Sequence, residues 1–229
     1  MKLYLSDTYL FESSAKLVSS GQDEKGSYVI FDKTIFYPQG GGQPCDIGMI
    51  NDLKVTSVKE VEDEIRHYIT GDSCAIPAGS DVSLAIDKGR RILNARYHTT
   101  SHFLANIVQR LYPDLIATKG HAFPGEAYVE FQGSGQVVAD VLRAEMQGEI
   151  DTAYDLSIFD STLEEFEQKF YKLPYEIPGG KAFRVMRIGD FPPIPCGGTH
   201  LKNTNEIGKF IIRKIKPGDN STKIQFSLE

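Results

Sequence analysis

A chain of 229 residues suits one large domain or two modest ones. With 41% hydrophobic and 24% charged residues, 21 glycines and 11 prolines, its composition excludes disorder, collagen and low complexity, and no apolar run approaches the ~20 residues of a membrane span. The formal net charge of −6 argues, taken alone, against a nucleic-acid partner, and three cysteines are too few and too odd a number for a disulfide framework.

A reducing cytoplasm is therefore the expected location. Met1 to Leu10 carries Lys2 and Asp7 among its apolar residues and does not read as a secretory leader.

In chain order, Tyr28–Phe31 and Thr34–Tyr37 are apolar runs of strand length, and Leu53–Val58 and Asp81–Ile86 alternate with period two. Glu64–Ile69, around His67, also reads as a strand, with His67 structural. Short strands punctuated by Gly, Pro, Asn and Asp predict a small β-barrel or sandwich over residues 1–87. After Asp87, a plausible N-cap, Arg90–Leu111 has neither Pro nor Gly, and Ile92, Leu93, Tyr97, Phe103, Leu104, Ile107, Val108 and Leu111 recur at helical spacing. Ala127–Phe131 reads as a strand, Val137–Ile150 and Leu163–Phe170 as helices, and Phe183–Ile188, Phe210–Ile215 and Ile224–Phe226 as closing strands. Residues 88–229 are thus expected to form an α+β domain with helices on one face of a mainly antiparallel sheet.

Three groups of residues could carry chemistry. His98 and His102 stand four apart on the long helix, a spacing that puts two imidazoles on one face and lets them share a metal ion. Cys196 and His200 are also four apart, within Pro195-Cys196-Gly197-Gly198-Thr199-His200, where glycines let the chain turn until both side chains converge. One thiolate with three imidazoles suits tetrahedral zinc better than copper or iron. The bland alternative is a turn with a buried thiol and a surface histidine. Cys45 and Cys74 have no matching histidine and read as inert thiols, while His121, after Gly120, could line a cleft. The third group is Phe36-Tyr37-Pro38-Gln39-Gly40-Gly41-Gly42-Gln43-Pro44. It lacks the Gly-Lys-Ser/Thr of a phosphate loop and the strand–loop–helix setting of a dinucleotide fingerprint. It reads as a sharp barrel turn, or as a turn open to close approach by a backbone or a nucleotide.

In this order, the His-x-x-x-His helix, the Cys-Gly-Gly-Thr-His loop and the glycine block resemble the alanyl-tRNA editing proteins (AlaX), free-standing relatives of the alanyl-tRNA synthetase editing domain. Val185–Asp190 and Lys202–Gly208 are also similar to the family pattern, and the likeness runs from about Thr34 to the C-terminus. The glycine block is similar to that of the medium-length class, which has a barrel ahead of the editing core. The resemblance implies an aminoacyl-tRNA deacylase that hydrolyses mischarged Ser-tRNA(Ala), and also Gly-tRNA(Ala), at the ester to the terminal adenosine. It implies zinc on His98, His102, Cys196 and His200, with zinc either activating water or, as preferred here, positioning substrate. Ser101 and Thr34, the expected catalytic residues, match hydroxyl residues that face the family's pocket, the plainer readings being a Ser101 hydroxyl bonded back to its own helix and a Thr34 that is only a β-branched strand residue; Gly41, Gly42 and Gln43 match the glycine block, and Gln43 is expected either to touch the adenosine or to brace the turn. Thr118-Lys119-Gly120 stands where the synthetase domains commonly carry Gln-Lys-Gly, a departure that bears on the contacts to the amino acid. A non-catalytic zinc-stabilised module that binds tRNA or a synthetase, and an editing hydrolase for another mischarged tRNA, are the rival readings. No oligomeric state follows from the sequence.

The charge is uneven. Between Lys181 and Glu229 nine basic residues face four acids, so the acidic excess lies in the rest of the chain. Phosphate contacts need local cations rather than a basic protein. This makes the C-terminal region, with Lys214 and Lys216, a candidate tRNA face, against the plainer reading of a solvated lysine-rich strand.

Overall fold

A computed structural model describes residues 1–71, 76–173 and 181–229; Cys74 lies outside them. The first half is a closed six-stranded antiparallel barrel made of β1 (Glu12–Asp23), β2 (Gly26–Phe31), β3 (Gly48–Ile50), β4 (Leu53–Val61), β5 (Glu64–Ile69) and β6 (Asp81–Ile86), in the order β1-β2-β5-β4-β3-β6. β1 pairs with β6 to close it, so no edge is left open. Alternate inward residues, among them Leu17, Val29, Val55, Val58 and Leu84, fill its interior. His67 is buried there, bonded to Val29 O and Thr34 Oγ1, and burial pushes its pKa down to about 4.

α1 (Lys88–Leu111) follows at once. The Asp87 side chain accepts from Arg90 N at 2.9 Å, which fixes its start. Then come β7 (Ile116–His121), β8 (Tyr128–Gln132), α2 (Ala139–Asp151), β9 (Leu156–Ser161), α3 (Leu163–Lys169), β10 (Phe183–Ile188), β11 (Ile194–Pro195), β12 (Phe210–Gly218) and β13 (Ser221–Leu228). They form a four-stranded sheet, β12-β13-β8-β7, and a three-stranded sheet, β11-β10-β9; the paired strands in both are antiparallel. Phe103, Leu104, Ile107 and Val108 of α1 share one core with Val129, Phe131, Ile224 and Phe226 from the four-stranded sheet, and α2 adds Leu142, Met146 and Ile150. The molecule is α+β, as its sequence pattern predicts. No helix among the described residues is long and apolar enough to cross a membrane.

Two expectations need correction. Thr34–Tyr37 is not a strand. Thr34 makes one isolated bridge with Lys2, and Ile35 and Phe36 are fully buried in irregular backbone. Side chains satisfy this segment instead of a ladder: Tyr37 N donates to Asp46 Oδ2 at 2.6 Å, Phe36 N to Thr34 Oγ1 at 3.0 Å, and Arg91 Nη2 to Ile35 O at 2.5 Å. Leu93, placed in the apolar stripe of α1, is 37% exposed, while Arg91 is fully buried. The Arg91 guanidinium reaches both oxygens of Asp46, with Nη2 to Oδ2 at 2.5 Å, and its Nη1 donates to Thr8 O at 3.0 Å. Sequence periodicity treats a charged residue as surface, and this one is paired on every side.

Truncating one member of a buried, hydrogen-bonded ion pair strands the other charge. Asp46→Ala is therefore expected to cost about 3–5 kcal/mol of stability by urea unfolding, with Asp46→Leu/Arg91→Met recovering most of it. A loss under about 1 kcal/mol, the range of an exposed pair, would contradict this account.

Candidate metal centre

α1 brings His98 and His102 to one face, with their Nε2 atoms 3.1 Å apart. β10 and β11 bring the loop. Val185 pairs with Pro195, Cys196 N donates to Arg184 O at 3.0 Å, and the chain then turns through Gly197 and Gly198. Cys196 Sγ lies 3.5 Å from His98 Nε2 and 3.3 Å from His200 Nε2. One donor atom from each of His98, His102, Cys196 and His200 falls within 4.8 Å of all the others. A tetrahedral ion with bonds of about 2.0 to 2.3 Å spaces its donors roughly 3.3 to 3.6 Å apart, so this group could hold one with little movement.

The surroundings orient the donors. Gln43, fully buried, places Oε1 2.5 Å from His98 Nδ1 and 3.1 Å from Thr199 N, while its Nε2 donates to Thr199 Oγ1 at 2.8 Å. An amide oxygen only accepts, so His98 carries its proton on Nδ1 and turns the Nε2 lone pair toward the cluster. Thr99 Oγ1 lies 3.3 Å from His200 Nδ1 and accepts from Leu201 N, and His200 N donates to Thr8 Oγ1. Arg184 Nη1 donates to the carbonyls of Cys196 and Gly198, at 2.7 and 2.9 Å, and so clamps the loop. A Cβ at Gly198 would stand 1.9 Å from His98 Cε1, so only glycine admits the imidazole.

Burial and the neighbouring charges of His102 and Arg184 hold His98 well below the usual imidazole range, and burial with the charges of His98, His102 and Arg184 does the same to His200. Burial brings His102 to about 4. Burial pushes the Cys196 thiol up, against the lowering effects of the Gly198 N–H and Arg184. At neutral pH the cluster is three neutral imidazoles and a thiol, a donor set that fits a soft or borderline divalent ion.

Two openings reach this cluster. A cavity of about 900 Å³ is lined by His98, Ser101, His102, Asn106, Lys119 and Phe191, among others. A second, of about 450 Å³, lies toward Tyr4, Tyr37, Cys196 and Gly197, and Gly41, His98 and His102 border both. Thr118, Lys119 and Gly120 line the larger one. Gly42 packs against β7. A Cβ there would meet Gly120 O at 2.6 Å, and Gly42 O accepts from Ala122 N at 2.7 Å, so the close approach is between two backbones of the protein. Gln43 is turned into the cluster, so it braces the turn and has no surface to offer an adenosine.

Three further expectations meet different surroundings. Ser101 faces the cavity, and its hydroxyl donates to Tyr97 O of its own helix at 3.0 Å. Thr34 borders neither opening and is bonded to His67 inside the barrel. His121 does not line the cavity either. Gly120 faces it, and strand alternation sends His121 to the opposite side, where it stacks on Phe123 and Tyr128. Lys214 and Lys216 are exposed on β12, the far edge of the sheet from β7. Thr8, Thr99, Thr199, Arg184, Asn106 and Gln109 are the contributors that motif reading missed. Thr99 beside His98, and Thr199 beside His200, were the readable signals.

Comparison with known proteins fits this architecture. A family model described as class II (A) tRNA synthetases matches residues 6–90, and one described as the threonyl and alanyl tRNA synthetase second additional domain matches residues 183–223. Alanyl-tRNA editing protein AlaX-M of Saccharolobus solfataricus is 34% identical over 94% of this chain and 92% of its own length; AlaX-M of Pyrococcus horikoshii is 31% identical over 94% and 90%. The chain belongs to the alanyl-tRNA editing protein family. It spans 57% of the AlaX-L relative from Pyrococcus horikoshii, at 34% identity, and a quarter of the alanine–tRNA ligase of Caldivirga maquilingensis, at 31%.

Within this family member, the protonation states carry two expectations. Metal binding must displace the Cys196 proton, whereas the imidazoles are already neutral above pH 6. Cobalt affinity, followed by absorbance, is therefore expected to rise about tenfold per pH unit from 6 to 8 with release of about one proton; a flat profile would contradict the thiol assignment. Gln43→Ala should weaken cobalt binding by about 10–100-fold while leaving the circular dichroism unchanged.

Proposed function

We propose that this chain is a trans-editing hydrolase that cleaves the aminoacyl ester of mischarged Ser-tRNA(Ala), and also of Gly-tRNA(Ala), with zinc held by His98, His102, Cys196 and His200. The single observation that carries the reading is the cavity of about 900 Å³ that opens directly onto His98 and His102. A volume of that order takes a terminal adenosine with a small aminoacyl group. Family membership supplies the substrate class, since the relatives are named alanyl-tRNA editing proteins.

A synthetase pocket that accepts alanine cannot strongly reject serine, which only adds a hydroxyl, so a second site must bind that hydroxyl instead. Ser101 is suited to do so. Its proton is committed to Tyr97 O, so its lone pairs face the cavity as acceptors for the hydroxyl or the ammonium of the substrate. For the same reason it is a poor nucleophile, and the reading assigns it positioning. Thr118 and Lys119 stand on the opposite wall as substrate contacts. When bound, zinc supplies Lewis acidity beside the ester. With four protein donors the set is closed, so the reading favours orientation of substrate over activation of water. Residues 1–87 are read as the unit that braces this site through Thr8 and Gln43, and residues 88–229 as the unit that holds the four donors.

Deacylation of a panel carrying serine, glycine, alanine, threonine and cysteine tests this. Ser-tRNA(Ala) should be hydrolysed, Ala-tRNA(Ala) spared, and His98→Ala should lose the activity. Equal rates for wild type and His98→Ala would remove His98 from the site, and preference for the threonine or cysteine tRNA would move the protein to another substrate.

A further inference from the structure

The C-terminal surplus of basic residues divides in the fold. Arg184 clamps the Cys196 loop, Arg187 pairs with Asp190, Lys209 with Glu229, and Lys202 lies over the Tyr9 ring. Of the rest, Lys214, Lys216 and Lys223 sit on one surface, while Lys181 precedes β10 and Arg213 falls at the β12 bulge. α1 packs on β7 and β8, and α2 on β12, from the core side of the four-stranded sheet. On the other side, cross-strand register sets Lys216, Lys223, Glu130 and Lys119 in one row and Lys214, Gln225, Tyr128 and His121 in the next. Directly paired residues share a face, so four of these eight are lysines on one surface and one is an acid. Lys119, Lys214 and Lys216 are exposed and make no ion pair among the described residues. Lys223 is held in place, its Nζ 2.5 Å from Glu130 Oε1 and 4.1 Å from the Tyr128 ring centre.

We propose that this sheet face binds the double-stranded stem of an RNA whose single-stranded 3′ end enters the cavity. The proposal rests on the editing reading for the identity of that RNA as a tRNA acceptor stem. Three observations select the occupant. Free lysines outnumber the carboxylates at this face, Glu130 on Lys223 and Glu126 at 3.8 Å from His121, and complement a polyanion. The rings are not a platform for bases: His121 is stacked between Phe123, at 4.3 Å, and Tyr128, at 5.2 Å, and Lys223 covers Tyr128. Contacts on this face are therefore to phosphates, which position a duplex without reading its sequence. Four strands also span about 14 Å, a broad surface suited to the wide, shallow minor groove of A-form RNA rather than to one stacked strand. The face is continuous with the site. Lys119 stands in register with Glu130 and also lines the cavity, and Thr118 lines both the cavity and a shallow depression containing Lys216 and Lys223.

Binding of an uncharged tRNA and of an acceptor-stem duplex, by fluorescence anisotropy across a salt series, tests the proposal without using catalysis. Lys214→Glu/Lys216→Glu should weaken both by at least about tenfold and lower the salt slope by about two, and Lys214→Ala/Lys216→Ala should do the same to a smaller degree. Lys25→Glu/Lys54→Glu, on exposed barrel positions, changes the total charge equally and should leave binding within about twofold of wild type. No change in the β12 variants, or equal losses in the β12 and barrel variants, would overturn the proposal. Face-dependent binding by a wild-type protein that deacylates none of the panel would uphold the RNA face and sink the editing reading alone.

Discussion

The buried Asp46–Arg91 pair is the constraint on which the candidate site depends. It ties the start of α1 to the segment that follows the glycine block, and Arg91 also takes up Thr8 O and Ile35 O. His98 stands seven residues beyond Arg91, two helical turns or about 10 Å further on. Gln43 stands three residues before Asp46 and reaches His98 Nδ1. Fixing one end of this short lever sets the other. A buried ion pair is poor evidence for net stability, because desolvation offsets its attraction. Its consequence here is geometric: it holds barrel and helix where an amide from one meets an imidazole of the other.

The same logic explains the glycines. At Gly198 any side chain would occupy the space of the His98 ring, and at Gly42, where φ is +76°, any side chain would strike the Gly120 carbonyl. One lets the donor loop close on the helix, and the other lets the barrel turn close on β7. Neither glycine needs a ligand to account for it. The cluster is thus assembled from α1, the loop after β11 and side chains of the barrel segment, and its donors are pre-oriented before any ion arrives. Pre-orientation reduces the ordering cost of binding and fixes which nitrogen of His98 is available.

Much of this was legible in the sequence, for identifiable reasons. The two pairs spaced four apart located all four donors, because helix pitch and a glycine loop are local properties. The helices and most of the strands followed from periodicity. What escaped was non-local. Thr34–Tyr37 has the composition of a strand, but its polar backbone is satisfied by Asp46, Arg91 and Thr34 side chains. β1, rich in serine, buries only Ala15 and Leu17 deeply, so its alternation carries little hydrophobic contrast. The family resemblance leaves Gln43 either touching an adenosine or bracing its turn, and the glycine before His121 suggests a cleft position. Burial against Thr199 turned one toward the metal donors, and strand alternation turned the other away from the cavity. The net charge misled for the opposite reason, since it sums over surfaces that the fold keeps apart.

The central claim is that one thiolate and three imidazoles, held by this polar frame, close around a single ion. X-ray absorption at the metal edge of the protein loaded with one equivalent of zinc tests it most directly. The account predicts a first shell of one sulfur and three nitrogens, retained in His121→Ala and depleted of nitrogen in His98→Ala. A shell without sulfur, or one dominated by oxygen, would contradict it.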